Sequence, residues 1–185
     1  MLGDFDTFLP DHAACEKKAS GTAMGFVSHY PDRPDVVSAC AALAVEELQH
    51  FQQVTELVLR RGLTLAPDRR DPYVRRLGEK RRGGSAEYFL DRLVIASIVE
   101  SRGCERLAQI AAAHPDPDIA AFYRELARSE AKHQDLYSTL ARRYFASAEV
   151  DAREAELLEE EARILAELPA RPALFHAGPD ERGNG

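Results

Sequence analysis

Glu47-Leu48-Gln49-His50 and Glu130-Ala131-Lys132-His133 are two copies of one pattern, a carboxylate and an imidazole three residues apart. On a helix that spacing puts both groups on one face. A lone glutamate precedes each copy, Glu16 before the first and Glu100 before the second. The lone glutamates are 84 residues apart (100 − 16), and the Glu-x-x-His pairs 83 apart (130 − 47). Carboxylate oxygens and neutral imidazoles suit Fe(II) or Mn(II), and no thiolate is offered beside them. A glutamate from each of two helices plus a Glu-x-x-His from each of two others is the donor set with which a four-helix bundle holds two such ions. The candidate metal ligands are therefore Glu16, Glu47, His50, Glu100, Glu130 and His133. Six side chains over two metals leave positions open to dioxygen, which a closed structural site would not.

These carboxylates interrupt apolar seams. Ala19, Ala23 and Val27 share a stripe with Glu16, and Leu43, Val54 and Leu57 share one with Glu47 and His50. Leu93, Ala96, Gly103 and Leu107 flank Glu100, while Leu126, Leu136 and Leu140 accompany Glu130 and His133. An ionised carboxylate on such a face is costly unless neutralised. Two divalent cations balance four carboxylates, and the two imidazoles add donors without charge. Glu46 competes with Glu47 for His50, but only Glu47 repeats the spacing of Glu130 and His133. His12 reads as a neighbour of the ligands rather than a seventh one, and Ser20 and Cys104 each follow a lone glutamate by four residues.

The helices that must carry these groups are delimited by proline, glycine and capping residues. An all-α chain is expected, because Ala, Leu, Glu and Arg dominate and no sustained two-residue alternation appears. Four core helices are read over about 10–28, 35–61, 85–113 and 118–145, with Asp11 as the first cap. A further helix over about 149–167 is rich in glutamate, and residues 168–185 read as a loose tail. The hairpin turns fall at 29–35 and 114–118. Each lone glutamate and its paired partner lie about 15 residues from their turn, roughly 22 Å at the rise of a helix. Antiparallel helices then bring Glu16 level with Glu47, and Glu100 level with Glu130. One domain over 1–185 accounts for both hairpins and a long crossover, 62–84.

That crossover is cationic. From 60 to 82 it carries nine Arg or Lys against three acids, a balance of +6 in a chain of net charge −7. A basic stretch on an acidic protein points to an anionic partner. Arg69, Arg70, Arg75, Arg76, Lys80, Arg81 and Arg82 are the candidate RNA contacts, with Tyr73 and Tyr88 available to stack on a base. The competing reading pairs these cations with the acidic last helix. No apolar run reaches the roughly 20 residues that cross a bilayer, and the start lacks a basic-then-apolar leader. Three cysteines, Cys15, Cys40 and Cys104, without a Cys-x-x-Cys pair, indicate reduced thiols and a cytoplasmic setting.

The chain resembles the bacterial tRNA hydroxylases that act on 2-methylthio-N6-isopentenyladenosine, ferritin-like non-haem di-iron monooxygenases. The resemblance covers roughly residues 1–165. It is carried by the stretch Asp11 to Ala19, by Glu46-Glu47-Leu48-Gln49-His50-Phe51, by Glu100-Ser101-Arg102 and by Ser129-Glu130-Ala131-Lys132-His133. It implies a ferritin-like four-helix bundle with an extra C-terminal helix, and a di-iron centre of two Fe ions on the six candidate ligands. It further implies dioxygen as co-substrate, an external electron donor such as a separate reductase, and the anticodon loop of tRNA as partner. A monomer or small oligomer fits that role. Two other readings share some of these features: a ferroxidase or iron-binding ferritin-like protein, and a metal-free helical bundle that binds RNA or protein.

Overall fold

The computed structural model describes residues 4–65, 67, 69–169 and 172–175, with side-chain detail omitted at 134. All regular structure among them is helical: α1 (Phe5–His29), α2 (Pro34–Arg60), α3 (Pro72–Gly78), α4 (Ser85–Ala113), α5 (Pro117–Tyr144) and α6 (Ser147–Glu167). Contacts divide the chain into two compact units, one of Met1–Asp68 with Pro172–Leu174, the other of Arg69–Arg171 with Phe175–Gly185. No described helix is long and apolar enough to cross a membrane.

The first unit is the α1–α2 hairpin. Its first helix begins five residues before the expected start. Asp4, not Asp11, is the cap, accepting from the Thr7 amide at 3.2 Å. Pro10 lies inside the helix, in its second turn, so it removes one backbone donor without ending the helix. Asp11 instead holds a distant segment, its Oδ2 accepting from the Leu174 amide at 3.0 Å. Pro34 at the start of α2 satisfies the usual N-terminal preference. Gly62, at φ +71°, supplies the left-handed residue just past its end. Phe8, Leu9, Phe26, Val36, Leu43, Val54 and Val58 form the buried seam. Truncating one of the larger of these to alanine would cost about 2–5 kcal/mol.

The second unit joins the α4–α5 hairpin to α3 and α6. Asp116 caps α5 through the amides of Asp118 and Ile119, at 2.9 and 3.3 Å, and Pro117 follows it. Phe89, Leu93, Leu107, Tyr123, Leu126 and Tyr137 are buried in the hairpin. The last helix, α6, adds Val150, Leu157 and Ile164. The expected crossover is not all loop: Asp71 accepts from the Tyr73 and Val74 amides and starts the two-turn helix α3.

A carboxylate at the base of α4 ties these parts together. Asp91 is fully buried and accepts from the Arg82 backbone at 2.7 Å, the Arg82 guanidinium at 2.8 Å and the Arg153 guanidinium at 2.8 and 2.9 Å. Burial pushes its carboxyl up, but these hydrogen bonds from Arg153 and Arg82 outweigh that and hold it below its ordinary value.

The expected tail is only partly outside the described residues. Of 168–185, the residues at 170, 171 and 176–185 lie outside them, as does His176. Ala173, Leu174 and Phe175 are buried, and the Phe175 ring stacks on Tyr73 with centroids 5.6 Å apart. Apolar side chains there have core to cover, so this stretch is not loose.

Candidate metal centre

In the first unit, α1 supplies Glu16 and α2 supplies Glu47 and His50. All three are buried, Glu47 completely. Glu47 Oε2 lies 3.6 Å from His50 Nδ1. Glu46, its competitor, is exposed, which decides between the two. His12 is also fully buried, and its Nε2 stands 2.5 Å from Glu16 Oε1. Burial, with the charge of His50 adding to it and that of Glu47 opposing, lowers the His12 pKa from 6.5 to about 3. The neutral ring therefore donates Nε2–H to Glu16 and fixes that carboxylate's direction. The Phe8 ring stacks on His12 from the other side, centroids 5.5 Å apart.

In the second unit, α4 supplies Glu100 and α5 supplies Glu130 and His133. Glu130 and His133 are buried, with Oε2 and Nδ1 3.0 Å apart, while Glu100 is half-buried. The Cys104 thiol is pushed up by burial first and then by the charges of Glu130, Glu105 and Glu100, which places it beside the carboxylates of this half-site.

The repeat extends beyond the ligands. Ser20 Oγ donates to the Ala44 carbonyl at 2.8 Å, clasping α1 to α2. Cys104 Sγ donates to the Ala127 carbonyl at 3.5 Å, clasping α4 to α5. Position 104 follows 20 by 84 residues and position 127 follows 44 by 83, the same offsets that separate the ligands. Counted back from each clasp on α1 or α4 and onward on the antiparallel α2 or α5, the lone glutamate faces the turn that carries the paired one. The register expected from the hairpin turns is thus seen in a hydrogen bond within each unit.

Each half-site fits a divalent cation. Two carboxylates balance its charge, an imidazole adds a neutral donor, and the hard oxygen set matches Fe(II) or Mn(II). Without a cation, the buried carboxylates of one half-site would repel one another and forfeit hydration. The helices that carry them keep a low-dielectric surround that a metal site needs.

Of the two readings of the cationic crossover, pairing with the acidic last helix describes Arg76 and Lys80. Arg76 pairs with Glu167, Lys80 with Glu160 at 2.8 Å, and Arg82 with buried Asp91. Arg75 pairs with Glu79 at 2.5 Å, and Arg81 lies over the Tyr88 ring at 5.3 Å. Arg69 and Arg70 are exposed. Tyr73 cannot stack on a base: it is fully buried, and its hydroxyl donates to Glu161 at 2.7 Å. Arg102 donates to the same Glu161 oxygen at 2.6 Å. Burial, with Glu161 next to it, drives the Tyr73 hydroxyl far above the ordinary phenol range. The sequence signal for burial was the pair Tyr73 and Leu77, one turn apart on a capped helix.

Residues 2–177 match a family profile described as tRNA-(MS[2]IO[6]A)-hydroxylase (MiaE). The chain is 36% identical over 177 residues to a tRNA 2-(methylsulfanyl)-N(6)-isopentenyladenosine(37) hydroxylase of Pseudomonas putida, covering 96% of this chain and 85% of that protein. A protein of the same description from Salmonella typhimurium is 31% identical over 174 residues, covering 94% of this chain and 63% of its own length. Among solved structures, a Synechococcus protein described as having aldehyde deformylating oxygenase activity is similar at a TM-score of 0.91 and 32% identity, covering 98% of this chain and 92% of that one. The fold class is all-α and ferritin-like, as the ligand pattern had implied.

Proposed function

The chain belongs to the MiaE family of tRNA hydroxylases, and on that footing we propose that it hydroxylates the isopentenyl group of 2-methylthio-N6-isopentenyladenosine in tRNA. Dioxygen is the co-substrate, and a separate reductase delivers two electrons per turnover. The observation that carries this reading is the duplicated half-site: Glu16, Glu47 and His50 for one iron, Glu100, Glu130 and His133 for the other. The reading requires both units to close as one ferritin-like domain over 1–185, so that the half-sites serve one di-iron centre.

When bound, that centre would supply activation of dioxygen for insertion into an allylic C–H bond of the isopentenyl group. The protein's own part is positioning and exclusion. His12 holds the Glu16 carboxylate in one orientation. Leu43, Val54, Leu93 and Leu126 are buried in the same helices and keep water from the ligands. Small side chains near them, Ala23 and Ala96, leave room for a prenyl group. The anticodon loop is single-stranded, so its hypermodified adenosine can be splayed out of the stack. Of the crossover cations, Arg69 and Arg70 are exposed, and Arg75 and Arg81 have exposed neighbours in Glu79 and half-buried Tyr88. These four are the crossover's contribution to phosphate binding. Arg76, Lys80 and Arg82 contribute only by exchanging their acidic partners. A cytoplasmic monomer or small oligomer fits these partners.

The test is nucleoside mass spectrometry of tRNA incubated with iron-reconstituted protein, a reductant and air. A modified adenosine heavier by one oxygen atom is expected. Unchanged substrate with a fully loaded metal centre would refute the assignment. The likeness to the Synechococcus protein favours a second reading, oxygen-dependent chemistry on an aldehyde. Turnover of a long-chain aldehyde together with inert tRNA would select it.

A further inference from the structure

Outside the crossover, the outer face of α5 carries a second row of cations. Arg124, Arg128 and Lys132 are spaced by four residues and share one stripe of that helix. At the helical rise they stand about 6 Å apart along the axis. All three are exposed. Arg124 and Lys132 form no ion pair among the described residues. Arg128 meets Glu125 at 2.5 Å, with both side chains more than half exposed, 65% and 73%. Such a surface pair is weak and yields readily to a phosphate. The crossover differs: Arg82 is anchored on a carboxylate with no exposure at all.

Beside this ridge runs a groove of about 390 Å³ between α4 and α5. Ala108, Ala111, Ala112, Ala127 and Ala131 form its floor, and Arg124 and Arg128 its rim. Cys104 closes one end, four residues after Glu100 and bonded across to Ala127, three residues before Glu130. The groove therefore ends beside the half-site of this unit. Its volume lies within the range of small-ligand sites. Single-file cations next to an apolar trough match a strand that alternates phosphates with flat, largely apolar bases.

We propose that a single-stranded segment of RNA lies along α5, with its phosphates on Arg124, Arg128 and Lys132 and a base over the alanine-floored groove. This surface rests on the tRNA reading above and deepens it. The experiment is fluorescence anisotropy with a labelled anticodon stem-loop and the full-length protein, across roughly 50–200 mM salt. The triple variant Arg124→Glu, Arg128→Glu, Lys132→Glu is expected to weaken binding at least about tenfold. Its salt slope should fall by about three, one for each phosphate that the variant no longer neutralises. The neutral triple to glutamine should do the same in smaller measure, and it serves if charge reversal disturbs the helix. A variant with the wild-type Kd and slope overturns this surface while the tRNA reading stands. Wild-type protein that binds no stem-loop at any salt overturns both. Unchanged RNA binding with loss of electron delivery from a reductase would overturn it in favour of an acidic protein partner on the ridge.

Discussion

The α1–α2 and α4–α5 hairpins carry the same candidate ligands at the same spacing and are supported in different ways. In the first, the groups that hold the candidate ligands are local, although Asp11 also takes a bond from the distant Leu174 amide. His12 stands one turn before Glu16 and orients it, and Ser20 clasps the hairpin through a hydroxyl. In the second, the position equivalent to His12, 84 residues on, is Ala96. The clasp there is a thiol at 3.5 Å. What the second hairpin has instead is bracing from outside: Asp91 under Arg82 and Arg153, and Glu161 joining Tyr73 to Arg102. The equivalent of Asp91 in the first hairpin is Thr7. The two hairpins thus share their donor spacing while the means of holding it differ. Ligand spacing is the shared constraint, and a helix pair can be held in register by either means.

The likeness of the two hairpins is tested hardest at the ligands. Glu47→Ala and Glu130→Ala should each reduce hydroxylated product below detection and lower bound iron, read by mass spectrometry and elemental analysis. Wild-type iron content in either variant would remove that residue from the site. Both variants should raise the melting temperature of the metal-free protein, since each removes one buried like charge.

Next in size is Asp91→Ala. It leaves the guanidinium of Arg153 partly buried without its carboxylate, a loss of about 3–5 kcal/mol by chemical denaturation. Because the native carboxyl is held below its ordinary value of 3.8, its contribution is present above that pH and lost as pH falls toward the lower native value. A loss below about 1 kcal/mol would show that the bracing is incidental.

His12→Gln follows. Removal of an orienting partner should weaken iron binding roughly 10- to 100-fold. It should also flatten a pH dependence. Buried His12 stays neutral to about pH 3, whereas the unfolded chain takes up a proton below about 6.5. The apo protein therefore loses up to about 1.4 kcal/mol per pH unit as pH drops below that value. An apo protein equally stable at pH 7 and pH 5, with the variant unchanged, would contradict the neutral assignment.

The smallest effect compares the clasps. Ser20→Ala should cost about 1 kcal/mol, and Cys104→Ala less, because a thiol is the weaker donor. Equal losses would mean that the two clasps contribute alike.

The site was more legible than its supports. Six candidate ligand positions followed from two offsets and a helical face, and burial distinguishes Glu47 from exposed Glu46. Helix ends were readable wherever proline and aspartate marked them, at Pro34 and at Asp116-Pro117. They misled at Pro10, because a proline that reads as a first-turn residue lies in the second turn, where the helix continues despite one missing backbone bond. The same Asp-Pro signal occurs at Asp71-Pro72 and starts α3, inside a stretch whose charge reads as loop. For the crossover cations the sequence offered two fates, an anionic partner or the acidic last helix, and could not choose between them. Whether Lys80 meets Glu160 or a phosphate depends on where α6 comes to rest, and nothing local encodes that. Composition describes a segment's charge; ion pairing decides how much of it faces outward.

The bond from the Leu174 amide to Asp11 closes a loop of more than 160 residues. On a ribosome that contact has a timing. The first hairpin is complete in sequence by about residue 68, yet Pro172–Leu174, which belong to its unit, emerge 104 residues later (172 − 68). At 5–20 residues per second that is a delay of about 5–20 s. For that interval the nascent hairpin lacks the amide that Asp11 accepts from, and a polypeptide released before Leu174 never closes that loop.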